Sequence, residues 1–348
     1  MQFNKDNLLH ALESVEPGLA SKQGVVEQSN CYVFQNGEVA SFNDEIACRC
    51  PLDLGGLTGA VPADKLLELL RKLPEDELGI ENGEGELRLN GKRREVGIRI
   101  EKDVALPIST VEKPGKWREL ADDFCEAVAL VGECASSDAS RFELTCIHVH
   151  PEWVEACDQF QLCRWTLDTG MSKPTLVRQQ TLRHVGALGM TEVSETDGWL
   201  HFRNKKGVVM SCRRYLEDFH DFTQFLEVKG ETVVLPKGLA DAADRASVFS
   251  SEDKDNDRVT VDLKGGKLTI SGQGMSGWIK ERKKVKWTGK PLKFLISPKL
   301  LIGIVKRTNE CVIAEERLKI ANGPWTYVAC LVKPESKEPK EEGTEGGE

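Results

Sequence analysis

No apolar run in this 348-residue chain approaches the roughly 18 residues that a membrane-spanning helix needs. The chain does not open on a charged-then-apolar stretch of the secretory kind either, so a cytoplasmic protein without a membrane partner is expected. Paired-cysteine spacing is missing as well. The 11 cysteines never fall in a C-x-x-C pattern, their number is odd, and Cys31, Cys48, Cys146, Cys163 and Cys330 lie within apolar runs. That is the habit of reduced, buried thiols, and neither a disulfide framework nor a zinc site is expected. No phosphate-cradling G-x-x-x-x-G-K-[ST] loop occurs. An excess of positive charge is lacking too, and a formal charge of −9 argues against a protein that simply coats nucleic acid.

What is present, 40% hydrophobic and 30% charged residues, is enough apolar mass for several modest cores. Its order is repetitive. Around Phe142–Val149 an alternating run turns at His150-Pro151-Glu152 and returns through Trp153–Asp158 and Phe160–Trp165. Thr175–Val177 then leads into a helical period over Gln179–Leu188, with Leu182, Val185 and Leu188 on one face. The same order occurs earlier. Cys31–Phe34 turns at Asn36-Gly37, returns as Val39–Phe42, and leads through Ala60-Val61 into a helix from Pro62 with Leu66, Leu69, Leu70 and Leu73 on one face. It occurs again later: Val259–Val261, a turn at Lys264-Gly265-Gly266, Leu268–Ile270, then Phe294–Ile296 and a helix from Ser297-Pro298. Each unit follows an amphipathic segment (Leu8–Val15, Leu120–Cys134, Leu239–Phe249) and precedes a second hairpin (Leu78–Ile100, Glu192–Tyr215, Cys311–Val332). The fold expected is α+β, with three copies of helix, hairpin, helix, hairpin.

The boundaries follow from composition. The first unit spans 1–115 and closes with a basic strand, Lys92–Ile98; Glu112–Lys116 reads as a linker. The second spans 116–230 and the third 231–334. Residues 335–348 contain no apolar side chain and are expected to stay disordered.

These features carry a resemblance. The repeat, the opening Met1-Gln-Phe3 with its helix, and the Glu155–Leu162 stretch resemble the bacterial DNA polymerase III β-subunit sliding clamp family. That family has an Ala-Thr-Asp-Gly-His-Arg-Leu pattern here; Ala156, Asp158 and Leu162 match it, while Cys157, Gln159, Phe160 and Gln161 depart. Val233–Pro236, Ser250–Lys254 and Tyr327–Val332 are similar to the family's third-domain start, subunit-contact loop and closing strand. The resemblance implies a head-to-tail homodimer, a ring of six domains that encircles double-stranded DNA and tethers DNA polymerase and clamp loader through short linear motifs. The divergence resembles that of a phage-encoded or other outlying member. Topological linkage needs only weak, sequence-independent phosphate contacts, which reconciles the acidic charge with a DNA role.

The resemblance also distributes candidate sites. DNA-facing cations would be Lys65, Arg71 and Lys72, then Arg183, then Lys299, Lys306 and Arg307 on the second helices, joined by Lys237, Arg245 and the loop residue Lys22. The same cations would be merely solvated on the polar face of any helix, and the first helices are acidic. A partner-peptide pocket would use Cys157, Phe160, Leu162, His220, Phe225, Val328 and Cys330, with a rim altered at Phe160 and Gln161. Leu162, Phe225 and Val328 would equally serve as plain core. A dimer seam would use Val96, Ile98, Val248 and Phe249, although the flanking Lys92–Arg94 and Trp278–Val285 are both basic and like charges oppose close contact. A different reading keeps the fold but makes the chain a monomeric scaffold or decoy for clamp partners. His148, His150, Cys157, Asp158 and Cys163 lie close in sequence, yet lack the spacing of a metal or nucleophile site. No enzyme activity, cofactor or metal is expected.

Overall fold

The computed structural model describes residues 2–21, 26–83, 85–252, 257–306, 308–314 and 316–330. Lys22, Arg307 and the 335–348 tail lie outside them. The chain forms two compact units, one of residues 1–158 and 164–220, the other of 159–163 and 221–348. No helix among the described residues is long and apolar enough to cross a membrane.

The first unit opens with β1 (Gln2–Asn4), α1 (Lys5–Val15), β2 (Cys31–Gln35), β3 (Glu38–Phe42), β4 (Ile46–Pro51), β5 (Gly59–Pro62), α2 (Ala63–Lys72), β6 (Glu77–Asn82), β7 (Glu86–Asn90) and β8 (Glu95–Arg99). Asn4 caps α1 by accepting from the Asn7 N–H, which satisfies one of the helix's orphan donors. In α2 the buried side chains are Ala63, Leu66, Leu67 and Leu70, so the core-facing stripe runs through Leu67 where the sequence pattern had Leu69.

The order then repeats: β9 (Arg118–Glu119), α3 (Phe124–Gly132), β10 (Cys146–His150), β11 (Trp153–Cys157), β12 (Gln161–Thr166), β13 (Thr175–Arg178), α4 (Gln179–Ala187), β14 (Glu192–Glu195), β15 (Trp199–Arg203) and β16 (Val209–Arg213). Phe142–Thr145, expected as strand, is a 3-10 turn instead. The Thr145 hydroxyl donates to the Phe142 carbonyl at 2.7 Å, a local bond that competes with extended pairing.

The second unit carries a third pass: β17 (Glu231–Val234), α5 (Leu239–Ser250), β18 (Val259–Lys264), β19 (Lys267–Gln273), β20 (Trp278–Lys284), β21 (Leu292–Ile296), α6 (Pro298–Val305), β22 (Glu310–Ile313), β23 (Arg317–Asn322) and β24 (Trp325–Cys330). Ser297 caps α6, and Pro298 occupies the first turn, where its missing N–H costs nothing.

Sheet topology follows the repeat. In the first unit β1–β6–β7–β8 is one four-stranded sheet, and β5–β2–β3–β4 continues directly into β16–β15–β14–β9. The junction is β4 against β16, antiparallel, with Cys48 opposite Met210 and Ala47 opposite Ser211. In the second unit the sheets are β20–β19–β18–β21 and β17–β22–β23–β24. Helices pair within each pass, α1 with α2, α3 with α4 and α5 with α6, and their apolar faces cover the sheets. Leu12, Leu66, Leu70, Phe124, Val185, Leu300 and Ile304 are fully buried there.

Candidate nucleic-acid and partner-binding surfaces

The helix cations divide into tied and untied groups. Arg71 near the end of α2 donates to Glu13 of α1 at 2.9 Å and lies 3.9 Å from Glu16. The bond to Glu13 raises its pKa further above an already high value. Lys72 pairs with Glu68 one turn earlier at 2.5 Å, and Lys65 with Asp64 at 3.5 Å. Arg245 on α5 forms a forked pair with Glu281 on β20, and Lys283 joins the same carboxylate at 2.8 Å. Arg183, Lys237, Lys299 and Lys306 are exposed and make no ion pair among the described residues. Arg183 and His184 border a cleft of about 530 Å³ whose other wall includes His10, Glu13 and Glu16. Burial, with help from Arg183, holds His184 below its usual pKa, so it adds no charge to this cleft at neutral pH.

Five of the seven pocket candidates belong to the second unit. There the Cys330 N–H donates to the Phe160 carbonyl at 2.7 Å, which lays the Gln159–Cys163 segment beside β24. The Tyr327 hydroxyl donates to Gln161 Oε1 at 3.1 Å and fixes the same segment from the buried side. Leu162 and Val328 are buried, whereas Phe160 is 59% exposed and Cys330 is exposed. Two guanidinium groups that no sequence pattern pointed to complete this surface: Arg258 lies over Phe160 at 5.8 Å and Arg317 over Phe225 at 5.0 Å. Arg317 is also the cross-strand partner of Cys330, so cation, thiol and ring share one face. Of the remaining two candidates, both in the first unit, Cys157 is buried and His220 exposed.

The seam candidates occupy different environments. Ile98 points into the core of its sheet and Val96 is half-buried. Val248 is 65% exposed, and the Phe249 ring covers Gly277, where a Cβ would come within 2.9 Å of it. Lys92–Arg94 does not form part of the edge strand: the Gly91 N–H donates to the Arg94 carbonyl at 2.8 Å and closes a turn there. Arg94 is tied to Glu75 at 2.5 Å, and the strand itself begins at Glu95. Across the outer face of that sheet Glu77, Glu81, Glu86 and Glu95 outnumber Arg88 and Arg99.

Two of the residues that raised an enzymatic alternative, His148 and His150, make structural contacts. Glu155 is buried and accepts from Arg164 Nε at 2.8 Å, with His148 Nδ1 at 2.9 Å and Trp153 Nε1 at 3.3 Å. His150 stacks on Trp153 at 3.5 Å. Burial pushes the thiols of Cys48, Cys146 and Cys311 up to about 12, far from nucleophilic thiolates. Among the described residues no cluster of three His, Cys, Asp or Glu side chains is placed to hold a metal ion.

Taken together, the repeated helix pairs and four-stranded sheets define a DNA-clamp type of fold. At the level of sequence no family model matches the chain, and no curated protein matches it. Solved structures do. The DNA polymerase III β chain of Streptococcus pneumoniae superposes with a TM-score of 0.75 at 16% identity, covering 96% of this chain and 99% of that one. The sliding clamp of Bartonella birtlesii, solved with bound griselimycin, gives 0.77 at 16% identity over the same shares. The β subunit of Thermotoga maritima gives 0.74 at 16% identity, again covering 96% and 99%. The chain therefore has the fold of bacterial DNA polymerase III β-subunit sliding clamps over nearly its whole length, with a widely diverged sequence.

Proposed function

We propose that two copies of this chain join head to tail into a ring of six clamp domains that encircles double-stranded DNA. In this reading the domains span 1–115, 116–230 and 231–334. The protein acts in the cytoplasm as a processivity factor, without catalytic chemistry, cofactor or metal, and tethers DNA polymerase and clamp loader through short linear motifs.

One observation carries the reading. The β4–β16 pairing links the outer strand of one repeat to the outer strand of the next. By position in the repeat, β20 corresponds to β4 and β8 to β16, yet each ends its sheet with no neighbouring strand among the described residues. Their backbones are set for pairing. The Gly274 N–H donates to the Gly277 carbonyl at 2.9 Å, and ladder bonds alternate from there, so the main-chain groups of Trp278, Lys280, Arg282 and Lys284 point off the edge. The Gly91–Arg94 bond fixes the same alternation on β8 and turns Glu95, Gly97 and Arg99 outward. A second copy would supply β8 to β20 twice by two-fold symmetry, closing both edges. The acid-rich outer face beside β8 complements the basic one beside β20, which relieves the like-charge conflict expected from Lys92–Arg94.

The DNA face would consist of Arg183, Lys237, Lys299 and Lys306, with Lys65, Arg71, Lys72 and Arg245 partly neutralised by their partners. Lys22 and Arg307 remain candidates. The partner pocket would draw on Phe160, Leu162, Phe225, Val328 and Cys330 of the second unit. A second reading, a monomer that binds clamp partners without encircling DNA, draws support from the acidic partners that hold Arg71 and Arg245. Light scattering separates the two, because a single 38.7 kDa chain cannot close a ring.

A further inference from the structure

The strand Trp278–Lys284 is more than a free edge. Along the β18–β21 sheet the register places Lys264, Lys267 and Lys284 in one row across three strands. Lys293, Asp262, Thr269 and Arg282 form the next row, and Lys280 lies in the row after that, opposite Ser271. All these cations are exposed, and Asp262 is the one acid in these rows. None of the cations makes an ion pair among the described residues, although Lys280 sits 5.7 Å over the Trp278 ring. Some cations elsewhere are paired, Arg71 with Glu13, Arg203 with Glu192 and Arg213 with Asp44, and others on the helices make no ion pair among the described residues. What sets this face apart is the gathering of six exposed cations around a single acid on adjoining strands.

Beside the charge lies aromatic surface. Trp278 is 67% exposed on the same outer face, opposite Gln273, and Met275 at the adjoining turn is 99% exposed. An open sheet with cation rows about 6.8 Å apart along the strands and an exposed indole matches the two demands of a flexible polyanion of bases: phosphate neutralisation and a stacking platform. A duplex keeps its bases stacked inside and would use only the charge. We propose that the outer face of the β18–β21 sheet binds single-stranded nucleic acid, with Trp278 stacking on a base and the lysine rows contacting phosphates. The surface is compatible with a paired β20 edge, because edge pairing uses in-plane main-chain groups while these side chains stand perpendicular to the sheet. It does not depend on ring closure.

The test is fluorescence anisotropy of a labelled oligothymidylate with the full chain at low salt, against a duplex of equal length and polyglutamate as competitor. The strand is expected to bind more tightly than the duplex and to resist polyglutamate. The triple variant Lys264→Gln, Lys267→Gln, Lys293→Gln lies off the β20 edge and should lower the magnitude of the salt slope by about 2. Trp278→Ala should weaken binding roughly tenfold. The triple charge reversal Arg71→Glu, Arg183→Glu, Lys306→Glu, which inverts three charges of the proposed ring interior, should leave strand binding intact. The proposal is overturned if the parent does not bind the strand, which would leave the lysines as guards against edge-to-edge aggregation. It is also overturned if the duplex or polyglutamate competes equally, or if binding is lost with the helix variant and kept by the sheet variants.

Discussion

Glu13 of α1 accepts from Arg71 of α2 at 2.9 Å, so the cation best placed at the end of the first repeat's second helix is already engaged by its own domain. A sliding surface benefits from such moderation, since phosphate contacts must break as readily as they form. If Arg71 faces DNA, Glu13→Gln should release it and strengthen retention on DNA, with a steeper salt dependence and an unchanged melting temperature. Unaltered retention at every salt concentration would place Arg71 away from the DNA path.

The free edge of β20 gives a second expectation. The Arg282 main-chain N–H points away from β19, so Arg282→Pro removes a donor from the edge without breaking the β19–β20 ladder. Light scattering should find the parent at twice 38.7 kDa and the variant at 38.7 kDa, with similar far-UV circular dichroism. A variant that remains dimeric would put the subunit contact elsewhere.

His201 supplies a pH dependence. It is fully buried, with Nδ1 2.8 Å from the Ser211 hydroxyl and Nε2 3.1 Å from Thr196. Burial lowers its pKa from 6.5 to about 4. The folded chain thus resists a proton that the unfolded chain accepts. The stability this neutral histidine preserves is complete above pH 6.5 and is lost as pH falls toward 4, on the order of 3 kcal/mol in all. Urea melts of the parent should show that decline, and His201→Gln should flatten the part between pH 6.5 and 4. An identical slope in both proteins would assign the acid sensitivity to carboxylates instead.

Cys330 is the exposed cysteine on the candidate partner surface; Cys125 is half-buried and the other nine are buried. A maleimide should therefore label Cys330 first in the native protein. A bound polymerase- or loader-derived peptide should slow that labelling, and Phe225→Ala should abolish the protection. Protection that survives Phe225→Ala would separate the thiol from the peptide site.

The periodic parts of this fold are legible from the chain alone: α6 with its Ser297 cap, the Asn36-Gly37 and Gly265-Gly266 turns, and the alternating strands. These depend on residues near each other in sequence. Local hydrogen bonding misled twice, at Phe142–Thr145, where a hydroxyl favoured a 3-10 turn, and at Lys92–Arg94, where a turn preceded the strand. The β4–β16 junction was illegible because its partners, such as Cys48 and Met210, lie far apart in sequence and carry no complementary signal. The same separation hid Arg258 and Arg317, whose contacts with Phe160 and Phe225 arise only in the folded unit. The charges of Trp278–Lys284 were visible from the start, but which of them share a face required the strand register.

The central claim is topological, and retention on circular DNA tests it most directly. After loading onto a nicked circular duplex, the protein should remain bound through gel filtration and be lost when one restriction cut linearises the circle. Retention that survives linearisation, or absence from the intact circle under conditions where a loader is active, would contradict the encircling ring.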